Sequence, residues 1–281
     1  MVLKIAYSPC PNDTFIYHAW AHGLVPDAPP LDITYADINI TNDLAANTND
    51  FDIIKISYAA LPWVLEKYTL LPCGGALGRG CGPLVLTKQA NGDSRDPSSL
   101  IGKRVAIPSD RSTAYLLFRL WASQQVKGAI DIQIMPFEKI MPAVRDGIID
   151  AGLVIHEARF TYQDYGLQLV ADLGRWWESD TGLPIPLGAI VAKRGLDISS
   201  ITQWIRSSLE YAWKNPDVSR EYILQHAQEM SYDVAKAHIE LYVNSFSFNL
   251  GEEGFAAVKT LLRRAVDELL IPGFNQDLLY I

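Results

Sequence analysis

A histidine that ends an apolar strand pattern is the residue of this chain best suited to proton transfer. His156 directly follows the apolar run 151–155 and precedes the polar residues Glu157 and Arg159. A neutral imidazole accepts a proton near neutral pH without a large pKa shift, so His156 can act as a general base. The alternative is a structural histidine that caps the strand or pairs with Glu157.

Ser112 and Thr113 stand at the start of a predicted helix over 113–125, after a strand pattern that ends near Pro108. The unpaired N–H groups and the positive end of the dipole at a helix N-terminus favour a bound anion. Ligands of open parallel sheets bind beyond the carboxyl ends of strands, which also favours ligand contact here. The alternative is that the Ser112 hydroxyl only caps the helix.

Two further strand ends carry candidate ligand contacts: Ser8, Cys10 and Asn12 follow the first strand pattern, and Lys55, Ile56 and Ser57 close the third. Strand alternation leaves the direction of the Lys55 side chain open. The Ile56 backbone and the Ser57 hydroxyl fit a strand-end contact better. Cys10 is either a thiolate at a helix start or a small packed residue that shapes a turn between two prolines.

The sequence contains no metal, phosphate-loop or catalytic-triad motif. The three cysteines form no disulfide framework and lack zinc-knuckle spacing, and no glutamate of the metalloprotease type separates His18 from His22. No Lys-Ser or Lys-Thr pair follows the glycine-rich segment 74–80, which therefore indicates a hinge or a close backbone approach to the ligand. Trp176 and Trp177 could line an aromatic ligand or pack in the core.

The composition indicates a folded, acidic chain. Its 281 residues are 49% hydrophobic and 20% charged, and 24 Lys and Arg against 32 Asp and Glu give a net charge of −8. This balance argues against nucleic acid or an anionic membrane as the main partner, yet it permits a small anionic ligand. No apolar run approaches the roughly 20 residues of a membrane helix, and the N-terminus enters a strand pattern directly. We therefore expect a soluble cytoplasmic protein.

The elements that must position these residues alternate over the first two thirds of the chain. Strand patterns occupy 3–8, 31–38, 52–57, 82–87, 104–108, 130–137, 151–155, 167–173 and 187–193. Helix patterns occupy 13–22, 42–46, 58–67, 113–125 and 138–146, with a short one starting near Glu157. This alternation predicts an α/β fold with mainly parallel sheet. Amphipathic patterns at 198–214, 217–228, 232–243 and 252–269 predict an all-helical C-terminal segment.

Two glycine-led apolar strands, 82–88 and 188–193, both end in lysine and flank a segment with its own alternation of strands and helices. The polar stretch 89–99 between them is typical of a surface loop. The pattern predicts two lobes joined by two crossings. Residues 1–88 and about 193–281 would form the larger lobe, and about 89–192 the smaller, inserted one. Such lobes enclose a central ligand cleft.

Four spaced motifs carry a family resemblance: Ser-Pro-Cys-Pro-Asn-Asp-Thr-Phe at 8–15, Gly-Gly-Ala-Leu-Gly-Arg-Gly at 74–80, Ile-His-Glu-Ala-Arg-Phe-Thr-Tyr at 155–162 and Gly-Leu-Pro-Ile-Pro-Leu-Gly at 182–188. With them the chain resembles the 1,4-dihydroxy-6-naphthoate synthase family of the futalosine route to menaquinone. The resemblance continues through 242–247 and 250–254. Segment 91–99 and the tail after Leu270 match the family poorly.

The resemblance implies a two-lobed, periplasmic-binding-protein-like fold of type II and a lyase that needs no cofactor. Cyclic dehypoxanthinyl futalosine would be cleaved to 1,4-dihydroxy-6-naphthoate with release of a sugar-derived fragment. The family's general base falls on His156, and its substrate contacts fall on Lys55, Ile56, Ser57, Ser112 and Thr113. Ser112 stands where the family often has threonine, a change that keeps the hydroxyl.

Two other functions share this architecture. One is chorismate dehydratase of the same pathway, and the other is a non-catalytic solute-binding protein. The Ile-His-Glu and Ser-Pro-Cys-Pro-Asn-Asp motifs favour the synthase, and the lack of an export signal argues against the binding protein. A purely structural or regulatory role would leave a polar cleft unexplained. We expect a small anionic aromatic substrate, with no nucleic acid, membrane or metal as partner.

Overall fold

Two β-sheets form the framework of the computed structural model, which describes residues 2–88, 96–156, 158–227 and 231–279. The strands are β1 (Leu3–Tyr7), β2 (Leu31–Tyr35), β3 (Ile53–Ser57), β4 (Tyr68–Leu70), β5 (Ala76–Gly78), β6 (Leu84–Lys88), β7 (Arg104–Ile107), β8 (Asp131–Ile134), β9 (Ala151–Val154), β10 (Leu167–Asp172) and β11 (Ile185–Lys193). The helices are α1 (Pro11–Ala21), α2 (Ile38–Asn47), α3 (Leu61–Val64), α4 (Thr113–Gln125), α5 (Phe137–Arg145), α6 (Ala158–Thr161), α7 (Leu173–Thr181), α8 (Ile198–Lys214), α9 (Arg220–His226), α10 (Tyr232–Tyr242), α11 (Ser245–Phe248) and α12 (Gly251–Asp267).

Sheet one has the strand order β2-β1-β3-β11-β4, with β5 paired to β11, and sheet two has the order β10-β6-β9-β7-β8. Strands β1, β2 and β3 are mutually parallel where they pair, as are β7, β8 and β9. Strands β6 and β11 pair antiparallel with all their neighbours. The expectation of mainly parallel sheet is therefore wrong. Consecutive parallel strands of one sheet are joined by a crossover connection. The chain instead enters β6 from sheet one and enters β11 from sheet two, so neither strand follows a crossover within its own sheet.

The chain passes from sheet one to sheet two between β5 and β6, and it returns between β10 and β11. The strand predicted at 82–87 thus belongs to sheet two, and the one predicted at 187–193 belongs to sheet one. The division into lobes at residues 88 and 193 stays a prediction.

Helices cover both faces of sheet one, because successive residues of its strands point to opposite sides. On β3, Ile53 packs with residues of α1 and α8, whereas Ile54 and Ile56 pack in a second cluster with residues of α4 and α12. In sheet two, Leu84 and Leu86 pack with Ile140 of α5. This sandwich holds the carboxyl ends of the central strands in fixed positions.

After β11, the part of the chain that the structure describes contains helices but no further strand, which confirms the predicted helical C-terminal segment. Helix α8 covers the predicted range. The Asp197 side chain caps it by accepting a hydrogen bond from the Ser200 N–H. No helix among the described residues is both long and apolar enough to span a membrane.

The glycine-rich segment contains β5, which the sequence patterns missed. A Cβ on Gly75 would lie 2.7 Å from the backbone oxygen of Gly188 in β11. The close backbone approach is therefore made to a neighbouring strand. The tryptophan pair lies on α7, also unpredicted. Trp177 is fully buried and donates its indole N–H to the Pro184 carbonyl at 2.9 Å, and neither tryptophan lines the cavities described below.

Candidate active site

Two adjoining chambers lie beyond the carboxyl ends of strands from both sheets. The outer chamber, of about 370 Å³, is lined by residues after β1, β2, β7, β8 and β9. The inner chamber, of about 90 Å³, is lined by residues that include Ser57, Thr113 and Leu187. Four residues line both: Ile38, Ser112, Ile155 and His156. Placement at strand ends agrees with the general location of ligand sites in α/β sheets.

His156 lies at the boundary between the two chambers. Its φ of 54° is in the left-handed region, which is uncommon for a residue with a side chain and typical of functional turns. The imidazole Nδ1 lies 3.6 Å from Cys10 Sγ, and the ring meets the edge of Phe137 with 5.6 Å between centroids. The turn after β9 therefore directs the imidazole Nδ1 toward Cys10, which follows β1 of sheet one.

Cys10 is the N-cap residue of α1, with Pro11 in the first helical position. Proline is favoured there because its φ already suits a helix and it has no N–H to satisfy. Cys10 is partly exposed and lines the outer chamber, whereas Cys73 and Cys81 are buried free thiols. The two prolines thus hold one thiol beside His156.

A buried polar network forms one wall of the inner chamber. The Lys55 ammonium and the Asp13 carboxylate form an ion pair in which both side chains are buried. Asp13 also accepts a hydrogen bond from Ser8 Oγ at 2.6 Å and one from Asn12 Nδ2 at 2.8 Å. The Lys55 side chain therefore points inward, which resolves the direction that alternation left open.

His238 of α10 extends this network and was not expected from the sequence. Its Nε2 lies 3.1 Å from Asn12 Oδ1. Burial, followed by the nearby His156 and Lys55, lowers the pKa of His238 well below 6.5, so the ring is neutral at physiological pH. The His156 and His238 rings are nearly parallel, at 16°, with centroids 6.1 Å apart.

Ser57 is held in place by Asn42 of α2, another residue that the sequence patterns missed. The Asn42 side chain accepts from the Ser57 N–H at 2.7 Å and donates to Ser57 Oγ at 3.0 Å. Because Oγ accepts from Asn42, the hydroxyl proton of Ser57 remains available for another acceptor.

Ser112 and Thr113 lie at the N-terminus of α4, but their hydroxyls are engaged within the protein. Ser112 Oγ accepts from the Tyr115 N–H and donates to the Ser109 carbonyl, so it caps the helix. Thr113 Oγ1 accepts from the Ala59 N–H at 3.1 Å and donates to the Leu187 carbonyl at 2.7 Å. Since Ser112 already accepts from the Tyr115 and Leu116 N–H groups, an anion at this helix end would rely on the Thr113 and Ala114 N–H groups.

The structure brings most of the predicted site residues together. The inner chamber is lined by Ser8, Asn12, Lys55, Ser57, Ser112, Thr113 and His156, and Cys10 joins His156 at the outer one. Ile56 lines neither chamber, because its side chain packs in the core. Glu157 lies outside the described residues. Within them, no group of three or more His, Cys, Asp or Glu side chains could hold a metal ion.

The sequence matches the family model described as "Menaquinone biosynthesis" over residues 3–267. A 1,4-dihydroxy-6-naphthoate synthase of Streptomyces coelicolor is 58% identical over 281 residues, covering 99% of this chain and 97% of that protein. The enzyme of the same name from Thermus thermophilus is 44% identical, covering 94% of this chain and 93% of that protein.

Solved structures show the same fold. A protein of Archaeoglobus fulgidus superposes with a TM-score of 0.87 at 34% identity, covering 96% of this chain and 98% of that one. The periplasmic aliphatic sulphonate binding protein SsuA of Escherichia coli superposes with a TM-score of 0.68 at 13% identity. The match covers 97% of this chain and 89% of that one. The second likeness confirms the predicted periplasmic-binding-protein-like fold and carries no information on the ligand.

Proposed function

The chain belongs to the menaquinone biosynthesis family, and on that premise we propose that it is a 1,4-dihydroxy-6-naphthoate synthase acting on cyclic dehypoxanthinyl futalosine. The similarity to two synthases of that name, which extends over nearly the full length of the chain, supports this assignment. The structural observation that carries it is a histidine, His156, at the boundary of two chambers lined from both sheets. From the biosynthetic role we infer a cytoplasmic location.

In the proposed reaction His156 removes a proton from the carbon next to a ring carbonyl of the substrate. The C–H electron pair forms an enolate, and the bond to the sugar-derived fragment then breaks as the ring system becomes aromatic. The fragment leaves with the electron pair of that bond and takes up the proton from His156, so no oxidant or reductant is consumed. The contact between His156 Nδ1 and Cys10 Sγ, at 3.6 Å, orients the ring for this transfer.

The remaining roles follow from the geometry of the two chambers. The Ser57 hydroxyl, positioned by Asn42, is a donor for the developing enolate oxygen. The substrate carboxylate suits the N-terminus of α4 at Ser112 and Thr113. Lys55 contributes positive charge beside the chamber while paired with Asp13. We keep the Ile56 backbone as a proposed contact.

Turnover of cyclic dehypoxanthinyl futalosine, followed as naphthoate formation, tests this function. We expect product from the wild type and a loss of about a hundredfold or more in His156→Ala. His22→Ala is the matched control, because His22 lines neither chamber. Equal turnover in His156→Ala would support the synthase assignment but would exclude His156 as the general base. Turnover of chorismate instead would assign a dehydratase, and tight binding without turnover would assign a binding protein.

A further inference from the structure

His238 carries a buried hydrogen-bond acceptor that the described residues leave unused. Asn12 Nδ2 donates to Asp13 Oδ1 at 2.8 Å, which turns the amide oxygen of Asn12 toward His238 Nε2. An amide oxygen can only accept, so the ring proton is on Nε2 and the lone pair is on Nδ1. That Nδ1 is buried and has no hydrogen-bond partner among the described residues. The tautomer is thus set by a chain of contacts that ends at the Asp13 carboxylate.

The side chain of His238 is 1% exposed and lines the inner chamber. Leaving a buried acceptor unpaired costs stability unless a ligand satisfies it. A lone pair attracts an O–H or N–H donor and repels a carboxylate. The ring also lies nearly parallel to that of His156, and both residues line the inner chamber.

We propose that His238 Nδ1 accepts a hydrogen bond from a hydroxyl group of the ligand and thereby positions the hydroxyl-bearing ring of a hydroxylated aromatic acid in the inner chamber. This inference rests on the proposed function, which supplies a product with two hydroxyls and one carboxylate. The inner chamber, at about 90 Å³, is small beside the roughly 300 Å³ of a minimal ligand pocket. It holds one part of the ligand, and the remainder extends into the outer chamber.

Two substitutions separate this role from a structural one. Gln at position 238 reaches the place of Nε2 and keeps a donor for Asn12, but it removes the acceptor at Nδ1. Asn reaches the place of Nδ1 and keeps an acceptor there, but it loses the contact with Asn12. A positioning role predicts that His238→Gln is impaired in binding the hydroxylated ligand and that His238→Asn is not. A structural role predicts the reverse.

The readout is the affinity for 1,4-dihydroxy-6-naphthoate relative to naphthalene-2-carboxylate, measured without oxygen by calorimetry. We expect the wild type to prefer the dihydroxy acid by about tenfold or more. His238→Gln should lose this preference while binding naphthalene-2-carboxylate as the wild type does, and His238→Asn should keep it within about threefold. Melting temperatures verify that both variants fold.

Several outcomes overturn the inference. A wild type that binds the two acids equally would exclude the hydroxyl contact without any variant. A preference kept in His238→Gln and lost in His238→Asn would assign His238 a structural role. Both leave the proposed function intact when the wild type turns over cyclic dehypoxanthinyl futalosine. A wild type that binds neither acid and shows no turnover would overturn the proposed function together with this inference.

Discussion

The Nδ1 atom of His156 lies 3.6 Å from the Sγ atom of Cys10, a residue 146 positions earlier in the chain. The contact joins the turn after β9 of sheet two to the start of α1, which follows β1 of sheet one. A thiol at this distance can fix the orientation of the imidazole, because it pairs with Nδ1 as donor or as acceptor. The proposed base is therefore held by a residue from the opposite sheet.

Alkylation of Cys10 should inactivate the enzyme. Burial raises the pKa of the Cys73 and Cys81 thiols to about 12, so iodoacetamide should modify Cys10 selectively. The added group would occupy the outer chamber beside His156. Mass spectrometry locates the label, and naphthoate formation measures the loss. Cys10→Ser should resist inactivation and retain activity within a few-fold, whereas Cys10→Ala should lose about three- to tenfold in kcat. A fully labelled, fully active enzyme would contradict this role.

Removal of the Asp13 carboxylate should destabilise the fold. Asp13→Asn leaves the Lys55 ammonium buried without its counter-charge, a change that costs about 3–5 kcal/mol. Urea unfolding at neutral pH measures the free energy of unfolding. In the double variant Asp13→Asn/Lys55→Met, part of that loss should be recovered because no charge remains buried. If Asp13→Asn alone were as stable as the wild type, the ion pair would not be a buried one in solution.

Asn42 should matter for activity through Ser57. Asn42→Ala removes both hydrogen bonds that hold the Ser57 backbone and hydroxyl, so kcat/KM should fall about tenfold. Asn47→Ala on the same helix is the control, because Asn47 is exposed. Steady-state kinetics of the two variants give the comparison. Equal kcat/KM values would show that Ser57 needs no such support.

Stability should fall as the solution is acidified from about pH 6.5 toward about pH 4. Burial, with a smaller contribution from His22, lowers the pKa of His18 from 6.5 to about 4. Below about pH 6.5 the His18 side chain is protonated in the unfolded chain but stays neutral in the folded one. The free energy of unfolding therefore decreases as the pH falls from about 6.5 to about 4. The lowered pKa of His238 acts in the same direction.

Thermal unfolding of the wild type and His18→Gln at about pH 7, 5.5 and 4.5 measures this effect. The variant should lose less of its melting temperature on acidification, since it has one group fewer that differs between the folded and unfolded states. Parallel curves for the two proteins would contradict the assignment to His18.

Local patterns were sufficient to locate most of the elements and much of the site. The alternation of apolar runs and helix patterns predicted α4 and α8 at their observed bounds. It also placed His156 and Ser57 at strand ends and Ser112 at a helix start, because the carboxyl end of a strand is visible in the sequence as the point where an apolar run stops. The missed strand β5 lies within the glycine-rich segment 74–80, and local propensity assigns glycine to turns.

The sequence by itself determined most of the segments that are strands and helices, since that depends on neighbours a few residues apart. Only the tertiary structure decided that β6 and β11 pair antiparallel, that Lys55 points inward and that Asn42 holds Ser57. It also brought His238 to Asn12, a contact that spans 226 positions. Contacts of this range depend on how complete elements pack against one another, and the pattern around a single residue contains no information on that packing.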